Sequence, residues 1–296
     1  LKAYAPTEAE AIVPTMLTLG AIYAVIMTLG AIVVRVPAPG WKPAGWTPSA
    51  RAISTQAKGD VTATRAIRTP QFFLLWIVLF TNVTAGIGIL EQASPMIQDF
   101  FSSVTPQAAA GFVGLLSLAN LSGRLGWSTL SDRIGRKRAY MLYLGTGAVL
   151  YTGVATLGGS SVALFVVLTF FILTFYGGGF ATIPAYLQDL FGRLEVGAIH
   201  GRLLTAWSAA GVAGPLIVNA IADSRSAQGV TGQALYIPSL LVMVGVLAIG
   251  FTANLLVRPV DARHHVAATT AAAQGHADDA TYARTEPQLA ATTSEA

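Results

Sequence analysis

The chain has 296 residues, 53% of them hydrophobic and only 11% charged, where soluble domains carry about 25% charged residues. It contains no cysteine, which excludes disulfide frameworks and cysteine-based metal sites. Its formal net charge of +4 is read by where the basic residues fall along a membrane chain, and not as a nucleic-acid signal.

Leu1 opens in mid-pattern, with no methionine, basic n-region or small-residue cleavage site. No signal peptide is read, and the chain is expected to be a fragment of a longer one. A hydrocarbon core about 30 Å thick needs roughly 20 apolar helical residues. Seven segments qualify: Ile12–Val34, Gln71–Leu90, Ala108–Leu130, Ala139–Leu157, Val162–Leu187, Leu203–Ile221 and Leu235–Val257. Only the third contains an Asp, Glu, Lys or Arg, at Arg124.

Orientation follows from the connections. Lys and Arg concentrate between the first and second spans, in Arg133–Arg138, at Arg193 and Arg202, and after the last span; the intervening loops hold only Arg225. This places residues 36–70, 131–138, 188–202 and the C-terminal tail in the cytoplasm, with the chain multi-pass in the plasma membrane. Four prolines and two tryptophans open the 36–70 stretch, a stiff linker with interfacial aromatics, and Asp60–Arg68 is expected as a short basic helix on anionic headgroups. Residues 261–296, rich in Ala, Thr and Gln, are expected to be disordered.

The last six spans fall into two triples, and the first helix of each is interrupted in a related place: Gly86 and Gly88 with Pro95 beyond, and Gly177, Gly178 and Gly179 with Pro184. Paired interruptions in two repeats point to hinges beside a transport site; close packing through small residues is the competing account. Arg124 lies about 12 Å along its helix from Asp132, where a charge needs a cavity, a partner or room to snorkel. Ser117, Asn120, Arg124, Ser128 and Ser131 make one polar stripe at steps of three and four, which favours a water-filled cavity carrying an anion. Gly135 supplies a tight turn, and Asp132 with Arg133 and Arg136 can form a charge network, acting as a topology anchor or as a latch between two states.

Ser128-x-x-x-Asp132-Arg133-x-Gly135-Arg136-Lys137 resembles the signature loop of the major facilitator superfamily, with serine in place of its first glycine. Arg68–Trp76, Asn82–Gly88, Tyr176–Pro184 and His200–Trp207 are similar to the oxalate/formate antiporter-like subfamily. The resemblance implies an all-α membrane protein of seven transmembrane helices, six of them forming the C-terminal half of a twelve-helix transporter. Residues 1–35 would then be the last helix of the N-terminal half, 36–70 the linker, 71–260 the C-terminal half and 261–296 the tail. It also implies that Asp132, Arg133, Gly135, Arg136 and Lys137 form a cytoplasmic gate, and that Arg124 matches the substrate-binding arginine of the eighth helix. The eleventh-helix lysine of the oxalate transporters is absent: Thr205-Ala206 is followed by Trp207. One cation implies a monocarboxylate, with oxalate–formate exchange, or a truncated chain inactive alone, as alternatives. Trp207 would wall the site or pack between helices, and Tyr176 and Asn82 would hydrogen-bond the carboxylate.

The implied partners are a small carboxylate, the bilayer and the missing helices of the same protein, in a monomer without cofactor, metal or nucleic acid. Glu91, at the outer end of the second span, is read as solvated. Gly145-Thr-Gly147 lacks the strand-turn-helix setting of a nucleotide loop, and transport is expected to be driven by a counter-substrate or an ion gradient. A retinal pigment would need a lysine within a span, and a membrane hydrolase a His or Asp there; the spans hold neither.

Overall fold

Helix starts follow from their caps. Thr69 accepts the Phe72 N–H before Pro70, Thr105 accepts the Ala108 N–H before Pro106, and Ser161 accepts the Leu164 N–H. Each hydroxyl satisfies a backbone donor that the helix leaves orphaned, and proline at the first position loses no bond. The computed structural model of the chain describes residues 8–35, 41, 44, 45, 47 and 59–266.

The helices are α1 (Glu8–Val33), the single turn α2 (Ala63–Ala66), α3 (Pro70–Phe100), α4 (Pro106–Ile134), α5 (Arg136–Leu157), α6 (Val162–Phe191), α7 (Val196–Leu203), α8 (Thr205–Ala227) and α9 (Ile237–Leu256). Seven stretches are long and apolar enough to cross a membrane, α7 and α8 counting as one. This is an all-α membrane protein, and the expected spans are all present. The chain divides into two compact units. One holds α1, an apolar helix with Pro14 inside it; its Thr18 and Thr28 hydroxyls donate to the carbonyls of Pro14 and Ala24, which removes their polar cost in lipid. The other holds α2 to α9. Residues 36–40, most of 42–58 and the tail beyond 266 lie outside the described residues, so the Pro/Trp linker and the expected disorder of the tail are largely not described.

Within the second unit, α3 and α6 are the inner helices. α6 packs on α4 and α5 as α3 packs on α8 and α9, and α5 meets α9. These contacts relate α3–α5 to α6–α9 as two repeats. Tyrosines tie the bundle together from inside. The Tyr140 hydroxyl donates to the Gly179 carbonyl, Tyr143 to Trp127, Tyr151 to Ala85, and Tyr186 to Asn254 Oδ1. Each is a bond between two helices in a setting where an unmade one is costly.

Three boundaries depart from expectation. The second span continues past Leu90 through Glu91 and Pro95 to Phe100. The sixth is broken at Leu204, where the Thr205 hydroxyl donates to the Arg202 carbonyl and accepts from Trp76 Nε1 at 3.0 Å. The third concerns Asp60–Arg68, expected on lipid headgroups. Only Ala63–Ala66 is helical, and Val61, Ala63 and Ala66 are buried in the protein core. Asp60 Oδ1 accepts the N–H groups of Arg193 and Leu194, Val61 N–H donates to Phe191 and Ala63 N–H to Glu195 Oε2, while Val266 N–H donates to the Asp60 carbonyl. Apolar burial and satisfied amides hold residues 60–66 on the α6–α7 turn, so this segment is docked on the bundle and is not a separate basic helix.

Candidate functional site

The polar stripe on α4 is exposed at Ser117 and Arg124 and runs into the buried Ser131 at its basic end. Asn120 is half-buried, and a Cβ built on Gly111, Gly114 or Gly126 of the same helix would meet nothing within 4 Å. Ser128 closes its hydroxyl onto the Arg124 carbonyl and Ser131 onto Ser128, so both serines satisfy themselves within the helix.

Arg124 is held in place from two sides. Its Nε donates to Asn120 Oδ1 at 3.1 Å, and its guanidinium carbon lies 5.0 Å from the centre of the Phe180 ring, a cation–π contact. Phe180 in turn meets Trp207, with centroids 5.7 Å apart and planes at 54°. The structure therefore gathers Asn120 and Arg124 from α4, Phe180 from α6 and Trp207 from α8 into one cluster, with Trp207 43% exposed. Among the described residues no carboxylate pairs with Arg124. Phe180 was not among the expected site residues; an aromatic in an apolar span carries no signal of its own.

Tyr176 and Asn82 are not brought to this surface. Both are buried between α3 and α6. Tyr176 covers Gly86, where a Cβ would lie 2.3 Å from its ring, and Asn82 covers Gly179 at the same distance from Oδ1. Asn82 Oδ1 has no hydrogen-bond partner among the described residues.

The glycines read as hinges have a packing account. α3 and α6 run unbroken through Gly86, Gly88, Gly177, Gly178, Gly179 and Pro184. The three consecutive glycines meet three neighbours: Gly177 the Asn120 carbonyl at 2.1 Å from a built Cβ, Gly178 Trp127 at 2.6 Å, and Gly179 Asn82. The α3–α8 crossing repeats the pattern, with Gly88 against Val218 and Gly214 against the Thr84 carbonyl. Tight contacts at the crossings of both repeats account for these glycines, because a Cβ would meet facing backbone at Gly177 and Gly214 and a packed side chain at Gly86, Gly178 and Gly179.

At the basic end of the bundle, the α4–α5 turn is made by Gly135 at φ +91°, a conformation that costs glycine nothing. Arg136 is the centre of the charge network. Its guanidinium donates to Asp132 Oδ1 and Ser131 Oγ, and its Nε lies 3.8 Å from Asp189 Oδ2 near the end of α6. Lys137 caps the other neighbour: its ammonium donates to the Leu255 and Val257 carbonyls at 2.8 and 2.7 Å, countering the negative end of α9. Arg133 is exposed and takes no part in these contacts. The motif thus joins the hairpin to α6 and to α9.

The sequence model of the Major Facilitator Superfamily matches residues 12–215 and, overlapping, 94–289. The "Oxalate:formate antiporter" of Oxalobacter formigenes is 27% identical over 212 residues, covering 69% of this chain and 47% of that protein. The "Uncharacterized MFS-type transporter YhjX" of Escherichia coli (strain K12) is 26% identical over 147 residues, covering 48% of this chain and 35% of that protein. The chain spans less than half the length of either relative. With helices, signature turn and more than half of its residues matched, the chain belongs to the major facilitator superfamily, and within it is similar to the oxalate/formate antiporter-like transporters.

Proposed function

We propose that this chain is the C-terminal part of a secondary transporter that moves a small monocarboxylate across the plasma membrane by alternating access. The observation that carries the reading is Arg124: a guanidinium within a membrane-spanning helix, exposed, oriented by Asn120 and Phe180, and paired with no carboxylate among the described residues. A cation in that setting calls for an anion, and a guanidinium holds a carboxylate through two parallel N–H donors. With Nε spent on Asn120, its terminal nitrogens remain for the ligand, and Phe180 and Trp207 offer an aromatic wall to the rest of it. A single cation balances a single carboxylate.

In the complete protein the two halves would rock about this site, and the Asp132–Arg136–Asp189 network would hold the cytoplasmic side, which the loop charges assign to residues 36–70, 131–138, 188–202 and the tail. Exchange of oxalate for formate is the second reading, favoured by the named activity of the Oxalobacter relative and opposed by Trp207 standing where a lysine would be needed. Counterflow by the full-length protein in proteoliposomes, with formate, pyruvate, lactate and oxalate, separates the two. The proposal predicts exchange of monocarboxylates without competition by oxalate. Exchange of oxalate would favour the second reading, and exchange of none of the four would overturn both.

A further inference from the structure

A groove of about 420 Å³ runs between α3 and α9 at the basic end of the bundle. It is lined by Leu74 and Ile77 of α3 and by Ala248, Thr252, Ala253 and Leu256 on one face of α9. The lining is apolar throughout, since the Thr252 hydroxyl donates to the Ala248 carbonyl at 2.9 Å and offers the groove no free donor.

The groove lies within the first turns of α3 and the last turns of α9, so it spans the half of the membrane next to the basic surface. At that end Gln71 Nε2 donates to the Pro259 carbonyl at 3.0 Å, bringing the two chain segments together. Arg68 and Arg258 flank this junction; both are exposed, and neither has a carboxylate partner among the described residues. Two carbonyls at the C-terminal end of α9, those of Leu255 and Val257, already accept from Lys137, which lessens the repulsion an anion would meet here.

An apolar groove between α3 and α9, whose basic end adjoins chain segments carrying two exposed arginines with no carboxylate partner among the described residues, fits one ligand class. We infer that this is a binding site for an anionic phospholipid, its acyl chain in the α3–α9 groove and its phosphate between Arg68 and Arg258. A zwitterionic lipid gains less from the two arginines, and a small carboxylate leaves the groove empty. Basic pockets between membrane helices on the cytoplasmic side serve this purpose generally. Assignment to the inner leaflet rests on the sidedness proposed above, but binding itself does not depend on it.

The test is lipid retention by the full chain purified in detergent, measured by native mass spectrometry with phosphatidylglycerol and phosphatidylcholine offered together. Retention should favour phosphatidylglycerol, and the preference should fall about fivefold for each arginine removed in Arg68→Gln and Arg258→Gln. The double lysine variant should keep it, and Ala248→Trp should lower retention of both lipids by filling the groove. Arg193→Gln, an exposed arginine on the same surface, should change nothing. An unaltered preference in the double glutamine variant, an equal loss in Arg193→Gln, or displacement of the lipid by inorganic phosphate alone would overturn the inference. Thermal unfolding of each variant shows that the protein measured is folded.

Discussion

Gly177→Ala separates the two accounts of the glycine run by the sign of its effect. Alanine is the better helix former, by roughly 1 kcal/mol in a helix interior, so a glycine kept only for bending should give a more stable protein when replaced. The packing account predicts the opposite. A Cβ at Gly177 would stand 2.1 Å from the Asn120 carbonyl oxygen and 2.7 Å from its Oδ1, whereas ordinary contact begins at 3.4 Å. The atom in the way is backbone, so no rotamer change relieves the clash, and α4 and α6 must separate by about 1.3 Å, the difference between 2.1 and 3.4 Å. Overpacking of this kind costs about 1–3 kcal/mol, enough to exceed the gain in helix propensity at the upper end and to cancel it at the lower. Asn120, which orients Arg124, moves with α4, so carboxylate transport should fall as well. Gly126→Ala and Gly114→Ala, on the same helix with nothing near them, should leave stability unchanged or raise it. The assay is thermal unfolding of the purified variants side by side. A Gly177→Ala protein more stable than the parent, by as much as Gly126→Ala, would refute the packing argument.

Four further substitutions have expected outcomes. Asp132→Asn should cost under about 1 kcal/mol, because the Asp132 side chain is 63% exposed. Arg136→Gln should cost about 1.5–3 kcal/mol, because that guanidinium is 11% exposed and shared between two helices; equal shifts in thermal unfolding would contradict the assignment of Arg136 as the centre of the network. Asp60→Ala should cost about 0.5–2 kcal/mol and speed amide exchange at Arg193 and Leu194, the two donors it satisfies, while Tyr140 and its neighbours keep their protection. Trp207→Lys should add oxalate to the ligands that inhibit monocarboxylate counterflow, and no inhibition by oxalate would remove Trp207 from the account of selectivity.

The spans were legible because the signal is local: some twenty apolar residues ended by charge or by a threonine–proline pair leave few alternatives to a helix in lipid. What escaped depends on contacts far apart in sequence. The break at Leu204 carries no glycine or proline; it is marked by Thr205, bonded to Trp76 from 129 residues away. The docking of residues 60–66 depends on Asp60 and Glu195 reaching across more than 130 residues, where the local charge pattern suggested a surface helix. Glu91 and Pro95 looked like the end of a span, yet α3 continues to Phe100. At the site, Arg124 and Asn120 were legible from the cost of the charge and the i, i+4 spacing. Tyr176 and Asn82 look like ligands in a list of polar residues in spans, but they face glycines across α3 and α6, a fact that periodicity along one helix does not contain. Phe180, next to Gly179, escaped for the same reason.

The central claim is that Arg124 binds the carboxylate. It is tested most directly by comparing the parent, Arg124→Gln and Arg124→Lys for monocarboxylate binding and counterflow, in the full-length protein and at matched thermal stability. Loss of a charged hydrogen-bonding partner is worth about 1.5–3 kcal/mol, or roughly 10- to 150-fold in affinity. The glutamine variant should therefore bind at least tenfold more weakly and lose counterflow, with lysine intermediate because it keeps the charge but not the paired donors. A glutamine variant that folds, binds and exchanges as the parent does would contradict the account.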